Sequence, residues 1–99
     1  MATRESVEGF LQQCEDTIRL AQKHYEDGQK QQHFDKDGYT AALQQLETTY
    51  NDLTHLAHSA NSQQREQLHR KRLQLQQLQN DMILLREEHP LHEKTYETK

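Results

Sequence analysis

Between Tyr39 and His89 the chain runs for 51 residues without a glycine or a proline. Those two residue types interrupt helices more strongly than any others, so half of the molecule reads as helix with at most one soft break. Leucines and tyrosines recur there at helical intervals: Leu43, Leu46, Tyr50, Leu53 and Leu56, then Leu68, Leu75, Leu78, Met82 and Leu85. A short, polar, all-helical chain offers outer surfaces rather than an enclosed pocket. Its pattern therefore constrains architecture far more than activity.

An earlier apolar stripe runs Val7, Phe10, Leu11, Cys14, Ile18, Ala21 and Tyr25, with Ser6 placed to cap its start. This predicts a first helix over about 6–32, fraying beyond Gly28. Phe34 to Gly38 supplies turn chemistry, with Asp37-Gly38 favouring positive φ and a reversal of direction. The second stripe begins at Tyr39, capped by Asp37 or Thr40, and ends at Ala60. From Asn61 to Gln67 there is no apolar side chain. The third stripe closes before Pro90, with His89 the residue pushed out of helical geometry.

Two architectures follow. A turn near residues 60–62 gives an all-α, antiparallel three-helix bundle with helices at about 6–32, 39–60 and 62–89. A helix continuing through that point gives a two-helix hairpin, in which one long helix over 39–89 dimerises. Asn61 and Ser62 break helices weakly, and Arg65 early in a new helix opposes the macrodipole, which favours continuity. The nearly equal lengths of the three apolar stripes favour the bundle, and that is the expectation adopted. It makes 1–89 a single helical domain and 90–99 a polar, disordered tail.

Only 31% of the residues are hydrophobic, so the core is thin for a monomer and a protein partner or a homodimer is expected. The net charge of −4 argues against a general nucleic-acid binder or a ligand for anionic membranes. Cys14 is the only cysteine, which rules out an intramolecular disulfide and a cysteine-based zinc site. Its place on the first stripe marks it as a core thiol. The start of the chain lacks the apolar core of a signal peptide, and no apolar run approaches the ~20 residues that span a bilayer. A cytoplasmic protein with no membrane association is expected.

Seven histidines raise the question of a metal. Asp52-Leu53-Thr54-His55 and Glu66-Gln67-Leu68-His69 have the carboxylate-x-x-His spacing of di-iron bundles. At about 100° per residue, however, His55, Glu66 and His69 lie far from the apolar stripes, whereas a bundle metal site must project inward. His89-Pro90-Leu91-His92 reads as a solvated helix end. Neither a metal nor a cofactor is expected. The glycines stand singly, at 9, 28 and 38, so there is no phosphate-binding loop.

Two features on the third helix stand out. The basic run Arg65, His69, Arg70, Lys71 and Arg72 reads as a solvated face paired with glutamates, with Lys71 as the exception because it falls on the Leu75/Leu78 stripe. Leu73 and Leu84 lie about three turns apart and point away from that stripe. Arg65, Arg70, Arg72, Leu73 and Leu84 together form the candidate interaction surface.

The segments Asn51–Ala57, Ser59–Asn61, Gln63–Arg70, Leu73–Asn80 and Met82–Leu84, with the opening Met1–Arg4 and Ser6-Val7, resemble the YtzC-like family. These are short proteins of Bacillus-type spore-forming bacteria, with no assigned activity, and the resemblance covers nearly everything before Pro90. It implies an origin and transfers no functional residue. The function expected is a non-enzymatic protein–protein interaction or adaptor module. The alternative is a small helical-hairpin phosphatase of response regulators. Such enzymes carry Ser-x-x-x-Asp on a helix, whereas here Ser59 is followed by Gln63 and Ser62 by Glu66. RNA binding through Arg65–Arg72 is disfavoured by the acidic balance and the lack of tryptophan for stacking.

Overall fold

The computed structural model describes residues 2–30 and 35–88. They form three helices, α1 (Arg4–Lys30), α2 (Lys36–His58) and α3 (Ser62–Glu88). The expected polar tail 90–99, the helix end at His89-Pro90 and the last expected residues of the first helix, Gln31 and Gln32, lie outside the described residues.

Each helix start is capped, and each cap explains a boundary. Thr3, not Ser6, caps α1. The Ser6 backbone N–H donates to Thr3 Oγ1 at 3.0 Å, and the Thr3 N–H donates to Ser6 Oγ at 3.0 Å. This reciprocal pair occupies two of the donors that a helix start leaves open, and it moves the boundary two residues ahead of the expected one. Asp35, rather than Asp37 or Thr40, caps α2 by accepting the Gly38 N–H at 2.9 Å. Gly38 thus lies inside the first turn of the helix and is not the reversal residue. A Cβ there would collide with the Asp35 carboxylate and meet His24 Cε1 of α1 at 2.6 Å, so the glycine permits a close approach.

The long helix of the alternative architecture is absent, because α2 stops at His58. Ser59 follows at φ −105° and ψ 7°, a conformation open to any L-residue, which is why no glycine marks the break. Its N–H donates to Leu56 O at 3.1 Å, and that of Ala60 to Ala57 O at 3.3 Å. Asn61 then starts α3 with a second reciprocal cap: Gln64 N–H to Asn61 Oδ1 at 2.8 Å, and Asn61 N–H to Gln64 Oε1 at 2.9 Å. Asn61 is weak as a breaker and strong as a cap. The cost of Arg65 in the first turn is offset because its Nε donates to Ala60 O at 3.1 Å across the turn.

All three helix pairs pack against one another. The Ala2 N–H donates to Ser59 O at 3.0 Å, which places the start of α1 beside the end of α2. At the other end the Tyr39 hydroxyl donates to Met82 O at 2.6 Å, bringing the start of α2 to the end of α3. The order is therefore up-down-up. The core takes Val7, Cys14, Ile18 and Ala21 from α1, and Tyr39, Ala42, Leu43, Leu46 and Leu53 from α2. Ala60 of the turn joins them, as do Leu68, Leu75, Leu78 and Met82 of α3. Thr49, absent from the apolar pattern, is also fully buried, and its hydroxyl has no hydrogen-bond partner. No helix among the described residues is long and apolar enough to cross a membrane.

Candidate functional site

The five candidate residues do not form one patch. They divide between two faces of α3, as their spacing of about 100° per residue dictates, with Arg70 at the edge of the face that carries Leu73 and Leu84. Arg65 and Arg72, seven residues apart, line a groove of about 360 Å³ between α2 and α3. Arg70 faces a larger groove of about 630 Å³ between α1 and α3. Leu73 and Leu84 line neither groove and stand on the outer face, 49% and 52% exposed.

The two grooves differ in charge. Beside Arg70, the α1–α3 groove carries Arg4, Glu8 and Glu66, and these neutralise one another in pairs. Arg4 Nε lies 3.3 Å from Glu8 Oε2, and Arg70 Nη2 lies 2.9 Å from Glu66 Oε2. Both pairs are exposed links between successive turns of one helix and add little to stability. The α2–α3 groove has an apolar floor of Leu53, Ala57 and Leu68, with His58, Arg65, His69 and Arg72 above it and no carboxylate. Arg72 is half-buried, and its Nε is closed off from solvent without a hydrogen-bond partner. The basic run is therefore only partly matched by glutamates. Arg70 and Lys71 have acidic partners, whereas Arg65 is held by a backbone carbonyl.

Lys71 keeps its place on the inner stripe, where its side chain is only partly exposed. Its Nζ reaches Glu15 Oε1 of α1 at 2.8 Å, a link between helices 56 positions apart in sequence. The hydrogen bond and charge of Lys71 hold the Glu15 carboxyl below its usual range. Sequence spacing flagged Lys71 but carried no sign of Glu15, since only the packing of α1 on α3 brings the two together.

Cys14 lies fully buried, and burial pushes its thiol up to about 11. A thiol so placed stays protonated at neutral pH and is a packing group. Tyr39 is likewise pushed up to about 12 by burial. His55 and His69 are exposed, and the His55 and His58 rings meet edge to face with centroids 6.3 Å apart. Among the described residues no three His, Cys, Asp or Glu side chains gather in a way that would hold a metal ion.

One exposed side chain escaped the pattern. Leu20 of α1 is 55% exposed, about 200° around the helix from Ile18 two residues earlier. Leu73 and Leu84 differ from it in being two aligned leucines on one helix face. That face also carries Glu66, Arg70, Gln77, Asn80 and Glu87, all exposed.

Residues 1–84 match the model of a family described as "Protein of unknown function (DUF2524)". The chain is also 50% identical over 91 residues to "Uncharacterized protein YtzC" of Bacillus subtilis (strain 168), covering 92% of this chain and 98% of that protein. No solved structure matches. The chain belongs to the DUF2524 family.

Proposed function

We propose that this member of the DUF2524 family is a non-enzymatic interaction module that works by burying the outer face of α3 against another protein. The observation that carries the reading is the pair of half-exposed leucines, Leu73 and Leu84, on a helix whose opposite face already completes the core. A single exposed leucine needs no explanation, but two on one line offer a contact. Arg70 extends the same face. Arg65 and Arg72 flank it through the basic groove and supply positive charge for an acidic partner surface. The reading is of a soluble protein acting in the cytoplasm, without nucleic acid, membrane or cofactor. The domain is the helical bundle up to residue 89, with 90–99 outside it.

Affinity capture from cells at native abundance, with wild-type chain and with the double variant Leu73→Asp/Leu84→Asp, tests the reading. Both substituted positions are exposed, so the fold should survive and thermal melts should coincide. A specific protein partner, including an untagged copy of this chain, should be retained by the wild type and lost by the variant. Equal capture by both would show that the outer face of α3 is not the contact.

A further inference from the structure

The outer face of α3 carries a second heptad line, offset around the helix from the one that forms the inner seam. Reading from Glu66, its exposed residues are Arg70, Leu73, Gln77, Asn80, Leu84 and Glu87, at alternating intervals of four and three. That is the spacing of an a/d seam, repeated over about six turns of helix. The face is polar for a coiled coil, but its polar residues are not placed at random.

The stripe is complementary to itself when reversed. If a second α3 lies antiparallel with Leu73 opposite Leu84, the same register sets Gln77 opposite Asn80 and Arg70 opposite Glu87. Antiparallel coiled coils pair a with d in this way, and a two-fold axis repeats every contact. Two leucine contacts, two amide pairs and two opposite-charge pairs result. A parallel, in-register pair would instead set Arg70 against Arg70 and Glu87 against Glu87. Charge thus selects one orientation, and the central amides fix the register because a slip would set them against leucine.

We propose that this chain forms an antiparallel homodimer through the outer face of α3, in the register that pairs Leu73 with Leu84 and Arg70 with Glu87 of the second copy. The occupant of the face is a second copy of this chain, argued from the reversal symmetry of the charges along the stripe. This rests on the interaction reading above and names its partner. With only two leucines per copy the association is weak, in the micromolar range or above. Arg70 also stays within reach of Glu66 of its own helix, at 2.9 Å.

Sedimentation equilibrium of the full chain, from about 10 µM to 1 mM, tests the proposal. Wild type should show a monomer–dimer equilibrium that Leu73→Asp abolishes. Arg70→Glu and Glu87→Arg should each weaken it by about tenfold or more, since each creates two like-charge contacts. The double variant Arg70→Glu/Glu87→Arg should restore most of the affinity, because the antiparallel pairs re-form with signs exchanged. A parallel dimer would gain nothing from the double exchange. Wild type that remains monomeric at 1 mM overturns the homodimer, as does a dimer indifferent to the single charge changes or not rescued by the double. If wild type is monomeric yet loses a captured partner on Leu73→Asp/Leu84→Asp, the interaction reading stands and only the homodimer falls.

Discussion

The two faces of α3 use the same side chains to different ends. Leu68 and Leu75 are wholly buried, while Leu73, two residues from Leu75, is half in water. The difference lies in what each face meets. The inner line, continued by Leu78 and Met82, packs against both α1 and α2. The outer line lies largely in water, although Glu66 and Arg70 at its start border the α1–α3 groove. Leucine content therefore says little about what holds this helix in place, and phase says nearly everything. Because half a turn of helix separates core from surface, the same substitution on the two faces should have very different costs.

The largest contrast comes from charge. Leu75→Asp should abolish cooperative folding, as should Ile18→Asp on α1 or Leu46→Asp on α2, because each buries an unpaired carboxylate at a cost of several kcal/mol. Leu73→Asp and Leu84→Asp should change stability by no more than about 0.5 kcal/mol at concentrations where the chain is monomeric. Thermal melts followed by circular dichroism at low concentration measure both. A cooperative melt of unchanged midpoint for Leu75→Asp would mean that the inner line is misassigned.

Most of this division could be read from residue spacing alone, since every leucine on the inner line recurs at helical intervals. The break between α2 and α3 was harder to see. Asn61 and Ser62 look weak if judged by how badly they suit a helix interior. The break comes instead from how well Asn61 starts a helix, with Gln64 three residues on to complete the cap. Thr3 and Asp35 start their helices in the same way, each a few residues ahead of the more conspicuous Ser6 and Asp37. Pairs formed only by tertiary packing, such as Lys71 with Glu15, leave no mark at any fixed spacing. The charge-balanced lining of one groove and the cationic lining of the other depend in the same way on which helices meet.

The cap at Asn61 gives the intermediate effect. Asn61→Ala should lower stability by about 0.5–2 kcal/mol, while Asn61→Asp should retain most of it, since an aspartate caps as well and its charge suits a helix start. Urea unfolding resolves the two variants. A loss as large for Asp as for Ala would mean that accepting the Gln64 N–H is not what position 61 contributes, since an aspartate oxygen accepts that bond equally well.

The smallest effect belongs to Lys71, which occupies the inner line yet carries a charge. Two accounts compete: the ion pair with Glu15 stabilises the seam, or the aliphatic stem does and the charge is merely tolerated. Glu15 separates them through pH. Its folded-state carboxyl titrates below the ordinary value of 4.5, so the pair contributes above that value, and the contribution fades as pH falls through the lower folded value. The stability gap between wild type and Glu15→Gln should therefore be present at pH 7, shrink below about pH 4.5, and narrow in 1 M salt. If the gap is instead constant with pH, the charge is idle and the stem holds the seam. Lys71→Met should then be neutral or stabilising, as replacement of a partly buried ion by an apolar side chain of similar length often is. A clear loss on Lys71→Met, together with a gap that closes in acid, would assign the contact to charge and make position 71 the one point where the inner line of α3 is held electrostatically.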